Sequence, residues 1–301
     1  MTRMVGGLVA RSVMGTSGSG LGSPDKHAGE SRERVFTTYP MLRWSMNLFR
    51  IRGIQLSVHA SFFLLLAYVA WQGWTAAAWQ GAAWLTLGTV VMFVCVTLHE
   101  LGHAAAARYF GIRVPRILLL PIGGMAEMES IPRRPREEII IALAGPAVNY
   151  LIIGVLLIFV RFPEGWNWAY FELSLPGLGR YLVLVNLILG VFNLLPAFPM
   201  DGGRVLRALL AMRFPYLRAT QIAAHAGKVV ALAGAAYLVF YWKNYPACVL
   251  FGFIIFAGHR ELQAVARKEK EAAHWRMIEA RFNQPTVVTV TPIDEVPPRA
   301  I

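Results

Sequence analysis

Ala82-Ala-Trp-Leu-Thr-Leu-Gly-Thr-Val-Val-Met-Phe-Val-Cys-Val-Thr-Leu98 is a charge-free apolar run, and it leads directly into His99-Glu100-Leu101-Gly102-His103. A run of this length and composition reads as a membrane-spanning helix that continues into the polar motif. On a helix, His99 and His103 stand about one turn apart on the same face, so both imidazoles can reach a single zinc ion. Glu100, beside the first histidine, is placed to act as general base on an attacking water. Ionisable side chains inside an apolar segment cost about 2.5–3.5 kcal/mol each on insertion scales. Three of them at ligand spacing therefore argue for chemistry over packing.

The 301-residue chain is 56% hydrophobic and only 15% charged, with a mean hydropathy of +0.49. Soluble domains carry about 25% charged residues, so this composition indicates an integral membrane protein. The net charge of +12 does not indicate nucleic acid, because the basic residues flank apolar runs instead of forming a separate basic face. The lipid bilayer is the expected surroundings, with no nucleic-acid partner. Cys95 and Cys248 both fall within predicted spans, which argues against a disulfide framework. Cys95 precedes His99 by one turn and can approach the site, although packing is the simpler role for a thiol on an apolar helix.

Residues 1–45 read as a flexible basic N-terminal extension, and Met41–Gly53 as a basic interfacial lead into the membrane. A secretory signal is not expected, because Arg11 interrupts the short apolar patch Val5–Ala10. Residues 46–262 are predicted to form an all-α polytopic membrane domain. It has about six transmembrane helices, near 55–74, 82–107, 138–160, 179–198, 217–241 and 245–260. Basic clusters alternate along this series: Arg108, Arg113 and Arg116 follow the second span, and Arg204, Arg207 and Arg213 the fourth. Both termini are then cytoplasmic and the zinc motif lies toward the cytoplasmic side. Arg116–Ile131 is apolar but too short and Gly-broken to span. It is expected as a short re-entrant loop or β-hairpin near the active site, its edge open to an extended substrate, or else as a simple interfacial loop. Residues 263–301 read as a cytoplasmic helix and a short tail.

Two histidines leave a catalytic zinc site one protein ligand short. The best third candidate is Asp201, in Asn193-Leu-Leu-Pro-Ala-Phe-Pro-Met-Asp201-Gly-Gly-Arg204. Here prolines and glycines break the helix and expose a carboxylate at the depth of His99. A plain helix N-cap is the competing role, and the histidine pair tips the balance toward a ligand. Asn149 is an amide within a span and wants an interhelical partner or a substrate, where it can stabilise an oxyanion. Asn193 can do the same or support Asp201, and structural hydrogen bonding competes for both. His59, His225 and His259 lack ligand spacing to another candidate and read as structural, and Glu127 and Glu129 as solvated at the interface.

His99-Glu-Leu-Gly-His103, Gly145-Pro-Ala-Val-Asn149 and Asn193-x-x-Pro-x-x-Pro-x-Asp201-Gly together resemble the site-2 protease family of intramembrane zinc metalloproteases. The resemblance covers about residues 50–262. It implies one zinc per active site on His99, His103 and Asp201, water activation by Glu100, and a transmembrane-segment protein as substrate. It also implies that Asn149 helps to position that substrate. The connections at 108–137 and 161–178 are too small for a PDZ domain. The layout therefore looks like the bacterial and archaeal branch that includes the sporulation-factor-processing protease. Thr286–Val296 is similar to the opening of a CBS domain, a type that binds adenine nucleotides. Only that opening is present, so nucleotide regulation is doubtful and the tail reads as a remnant or an alternative end.

The competing function is a catalytically silent membrane chaperone or adaptor that keeps the protease fold, and the intact Glu100 and three ligand candidates argue against it. A metal transporter would spread its acidic and histidine sites along a path. A prenyl-protein protease would supply a downstream glutamate in place of Asp201.

Overall fold

Ile54, Leu56 and Val58 alternate with Gln55 and Ser57, the period of a strand with one apolar face. In the computed structural model they lie in β2 (Ile54–His59), paired antiparallel with β1 (Ser45–Ile51) through a tight turn at Arg52 and Gly53, both at positive φ. The structure describes residues 44–129, 132, 134–163 and 172–282. The extension over residues 1–43 and the CBS-like stretch 286–296 lie outside them.

The all-α expectation is corrected here. A four-stranded sheet runs in the order β1-β2-β3-β4, with β3 (Arg116–Leu120) parallel to β2 and β4 (Gly123–Glu127) antiparallel to β3. Residues 45–59, read as an interfacial lead and the start of the first span, are instead its first hairpin. The reason is local. A hydropathy window merges the alternating strand 54–58 with the uniformly apolar helix that follows, although their periods differ. Arg116–Ile131 forms the β-hairpin that was one of its expected forms, as far as its residues are described.

Helix α1 (Ser61–Tyr109) is not straight, because Ala77 and Ala78 leave helical φ/ψ and the chain reverses there. Phe62 and Phe93 meet edge to face with ring centroids 4.7 Å apart. In a straight helix, at about 1.5 Å per residue, they would be roughly 45 Å apart. The two arms therefore lie side by side. After the sheet come α2 (Pro135–Phe159), α3 (Leu175–Asn193), the short α4 (Asp201–Ala211), α5 (Tyr216–Trp242) and α6 (Ala247–Phe282).

Among the described residues, five helices are long and apolar enough to cross a membrane, counting α1 as one. Their outer faces carry large apolar side chains such as Leu64, Ile158, Phe240 and Val249, each more than 70% exposed, as a lipid-facing surface requires. The chain is an integral membrane protein. One apolar cluster joins Ile54, Leu56 and Val58 of β2 to Phe62, Phe93 and Ala104 of α1, Ile117 of β3 and Ile141 of α2. The sheet is thereby fastened to the end of α1 that bears the histidines.

Candidate metal centre and active site

His99 and His103 lie on the second arm of α1, and the Asp201 carboxylate enters from the first turn of α4. The three side chains converge. His99 Nε2 and His103 Nε2 are 3.0 Å apart, and Asp201 Oδ2 lies 3.3 Å and 3.1 Å from them respectively. All three residues are buried. The other nitrogen of each ring is already engaged. His103 Nδ1 meets the Ile141 carbonyl at 2.7 Å, and His99 Nδ1 meets Asn149 Oδ1 at 2.6 Å. A carbonyl oxygen only accepts, so both rings donate from Nδ1 and turn the Nε2 lone pairs toward Asp201. Three acceptors facing one another without a proton between them repel, and a cation relieves that repulsion. Four-coordinate zinc, with ligands at about 2.0–2.1 Å, sets neighbouring ligand atoms roughly 3.3 Å apart, close to the observed spacings. The donor set fits a divalent metal.

Burial works to raise the Asp201 carboxyl, and the charge of the nearby Arg204 guanidinium works to lower it. Arg204 Nη1 stands 3.8 Å from Oδ1, on the oxygen that does not face the histidines. The Asp-Gly-Gly sequence has a steric reason. A Cβ on Gly202 would lie 2.2 Å from the Leu194 carbonyl oxygen, so only glycine lets α4 fold back over the preceding loop. Gly145 of α2 plays the corresponding part opposite, since its Cβ would sit 2.3 Å from His103 Nε2 and 2.7 Å from His99 Nε2.

Glu100 is half-buried beside the cluster, and its Oε2 accepts a 3.2 Å hydrogen bond from the Ala126 N–H of β4. That strand is the last in the sheet order, so its outer edge faces Glu100. Asn149 is fully buried on α2, with its amide shared between His99 and Asn186. Asn193 ends α3, half-buried, and among the described residues no side-chain hydrogen bond links it to the cluster. Cys95 is buried and free but does not belong to the ligand cluster.

Sequence reasoning missed three features. Asn186 of α3 is fully buried against Asn149, and an amide in an apolar helix was the available signal, the same one that drew attention to Asn149. Arg207 of α4 is buried against Glu138 of α2, with Nε 2.9 Å from Oε1, and it reaches Glu261 of α6 at 2.6 Å. This network ties the Asp201 helix to its neighbours, and no sequence spacing announces it. Burial opposes the Arg207 charge, but Glu138, Tyr216 and Glu261 together more than offset that and raise its pKa. The third is the steric opening at Gly145, whose need is visible only once α2 lies against α1.

The sequence pattern of peptidase family M50 matches residues 87–169 and 169–234, which hold all three ligand candidates and Glu100. A solved structure, a site-2 protease from Methanocaldococcus jannaschii, superposes with a TM-score of 0.52 at 38% identity, covering 73% of this chain and 95% of that one. The chain belongs to the site-2 protease family. Within the family, the zinc metalloprotease MJ0392 of M. jannaschii is 41% identical over 193 residues, 64% of this chain. The stage IV sporulation protein FB of Bacillus subtilis is 33% identical over 132 residues, 44% of this chain. These matches span 53% and 43% of the two relatives' own lengths.

Proposed function

We propose that this site-2 protease family member is a zinc metalloprotease that hydrolyses peptide bonds within or near the transmembrane segments of membrane proteins. The observation that carries the proposal is the meeting of His99, His103 and Asp201, whose ligand atoms all lie within 4.8 Å of one another. When bound, zinc supplies Lewis-acid polarisation of the attacking water and the scissile carbonyl. His99 and His103 would hold it through Nε2 and Asp201 through Oδ2. Glu100 takes the proton of the attacking water on its carboxylate and returns it to the leaving amine nitrogen. The Ala126 N–H bond fixes Oε2, which leaves Oε1 for that transfer.

β4 stands last in the sheet order, which supports an extended substrate. A peptide laid along it by strand addition runs beside Glu100, so a substrate helix unwinds locally before it is cut. The reversal at Ala77–Ala78 supports counting the arms of α1 as two spans, six in all. With six spans, the basic clusters after the second and fourth support cytoplasmic termini and a site toward the cytoplasmic side. Residues 46–262 then form the protease domain, between an N-terminal extension and a C-terminal helix and tail.

The test uses the full chain in proteoliposomes with a panel of single-span membrane proteins, a metal chelator as control, and the Glu100→Gln variant. The variant is expected to hold wild-type zinc by metal analysis and to cleave none of the proteins that the wild type cuts. Wild-type cleavage by Glu100→Gln would remove Glu100 from the chemistry, and chelator-resistant cleavage would remove zinc.

A further inference from the structure

We infer that Asn186 is a positioning residue that sets the tautomer of His99 and so determines which nitrogen that histidine offers to the metal. The inference rests on the zinc site proposed above.

Asn186 Nδ2 donates to the Leu182 carbonyl oxygen at 2.8 Å, one turn back on α3. A carbonyl cannot donate, so the amide nitrogen of Asn186 must face it and the Oδ1 must face the other way. That oxygen meets Asn149 Nδ2 at 3.3 Å. The direction of the second amide follows: its NH2 is spent on Asn186, and its Oδ1 is presented to His99 Nδ1 at 2.6 Å. The imidazole must therefore donate from Nδ1, and the Nε2 lone pair is left for the ligand cluster. Reversing any one amide sets oxygen against oxygen or N–H against N–H. Asn149 and Asn186 are both fully buried, so bulk solvent does not reach them to repair such a mismatch.

His103 reaches the same state in one step, because its Nδ1 bonds directly to the Ile141 carbonyl. Among the described residues, the hydrogen bond recorded for His99 Nδ1 is to Asn149 and not to a backbone carbonyl, and the two asparagines carry the acceptor polarity of Leu182 across from α3 through α2 to α1. Without Asn186 the Asn149 amide is free to turn over. It then offers N–H to His99 Nδ1, and the ring responds with its proton on Nε2, where it blocks the ligand position.

The experiment compares wild type, Asn186→Leu, Asn186→Thr, Asn149→Leu and the Asn149→Leu/Asn186→Leu double variant, all as full chains purified metal-free in detergent. Zinc affinity is read by competition with a chromophoric chelator, and thermal stability is measured without metal. Outer-shell partners of ligating histidines typically carry about 10–100-fold in metal affinity. Asn186→Leu is expected to weaken zinc by that factor. Asn186→Thr keeps a hydroxyl that donates to the carbonyl one turn back, as Thr97 does to Phe93, and accepts from Asn149. It is expected to recover most of the loss. In the Asn149→Leu background, Asn186→Leu should cost nothing further, because the residue acts through Asn149.

Wild-type affinity in Asn186→Leu, or losses that add in the double variant, would overturn the inference. A fall in metal-free stability with no change in affinity would likewise reduce Asn186 to a packing residue. Failure of the wild type itself to bind zinc would instead refute the function proposed above.

Discussion

Gly145→Ala adds one methyl group to the wall of the metal centre and tests its geometry directly. An ideal Cβ at this position lies 2.3 Å from His103 Nε2 and 2.7 Å from His99 Nε2, in the space that any ligand shared by the two nitrogens must occupy. Non-bonded heavy atoms settle at about 3.5 Å, so the methyl needs roughly 1 Å of extra room. The rings cannot swing away freely, because Nδ1 of each is held, at 2.6 Å by Asn149 and at 2.7 Å by Ile141. Metal–ligand distances tolerate shifts of only about 0.2 Å. Overpacking of a close-packed site costs about 1–3 kcal/mol. Borne by the zinc-bound state alone, that is a loss of roughly 5- to 140-fold in affinity, at about 1.4 kcal/mol per tenfold.

The assay is zinc titration of the purified full chain against a chromophoric chelator. Gly154→Ala is the control, on the same helix, where among the described residues nothing beyond its chain neighbours and the helix's own backbone lies within 4 Å of the added Cβ, and it should keep wild-type affinity. Equal zinc affinity together with equal metal-free thermal stability in Gly145→Ala and the wild type would refute the close approach of α2 to the histidines.

Two further outcomes test the surrounding fold. Arg207→Ala leaves the fully buried Glu138 carboxylate without its cation, which should destabilise the protein by about 3–5 kcal/mol in denaturant unfolding. Replacing the pair together by Arg207→Met and Glu138→Leu should cost markedly less, and equal losses would show that the ion pair is not what the network contributes. At the far end of α3, the Glu172 carboxyl is held below its ordinary value by the Ser174 hydroxyl and the Arg180 guanidinium. A depressed carboxyl stabilises the folded state above its unfolded pKa, about 4.3, and that contribution disappears as pH falls through the folded value. Glu172→Gln should therefore lower the thermal midpoint at neutral pH and match the wild type in acid. A gap that persists at low pH would mean that the charge is not responsible.

The candidate ligand cluster was legible because its cues are local. Helical spacing places His99 and His103 together, and a proline- and glycine-broken turn marks Asp201. The membrane address was legible because apolar runs are contiguous. The first hairpin was lost because its strand 54–58 runs straight into the apolar helix that begins at Ser61, so a window that averages hydropathy hides the change of period. Asn149 was visible as a polar group in an apolar segment, but its partner was not, since Asn186 is defined by the crossing of α2 and α3.

By itself, then, the sequence determined a membrane protein with two histidines, a glutamate and an aspartate suited to zinc hydrolysis, because periodicity, hydropathy and ligand chemistry are properties of neighbouring residues. Only the tertiary structure decided how the site is held. The direction of each hydrogen bond to the histidines, the cradle at Gly145, the Arg207–Glu138 pair and the β4 edge facing Glu100 all arise between elements far apart in the chain. Their physical cause is the packing of helix on helix and strand on helix, which sets distances that no local spacing encodes.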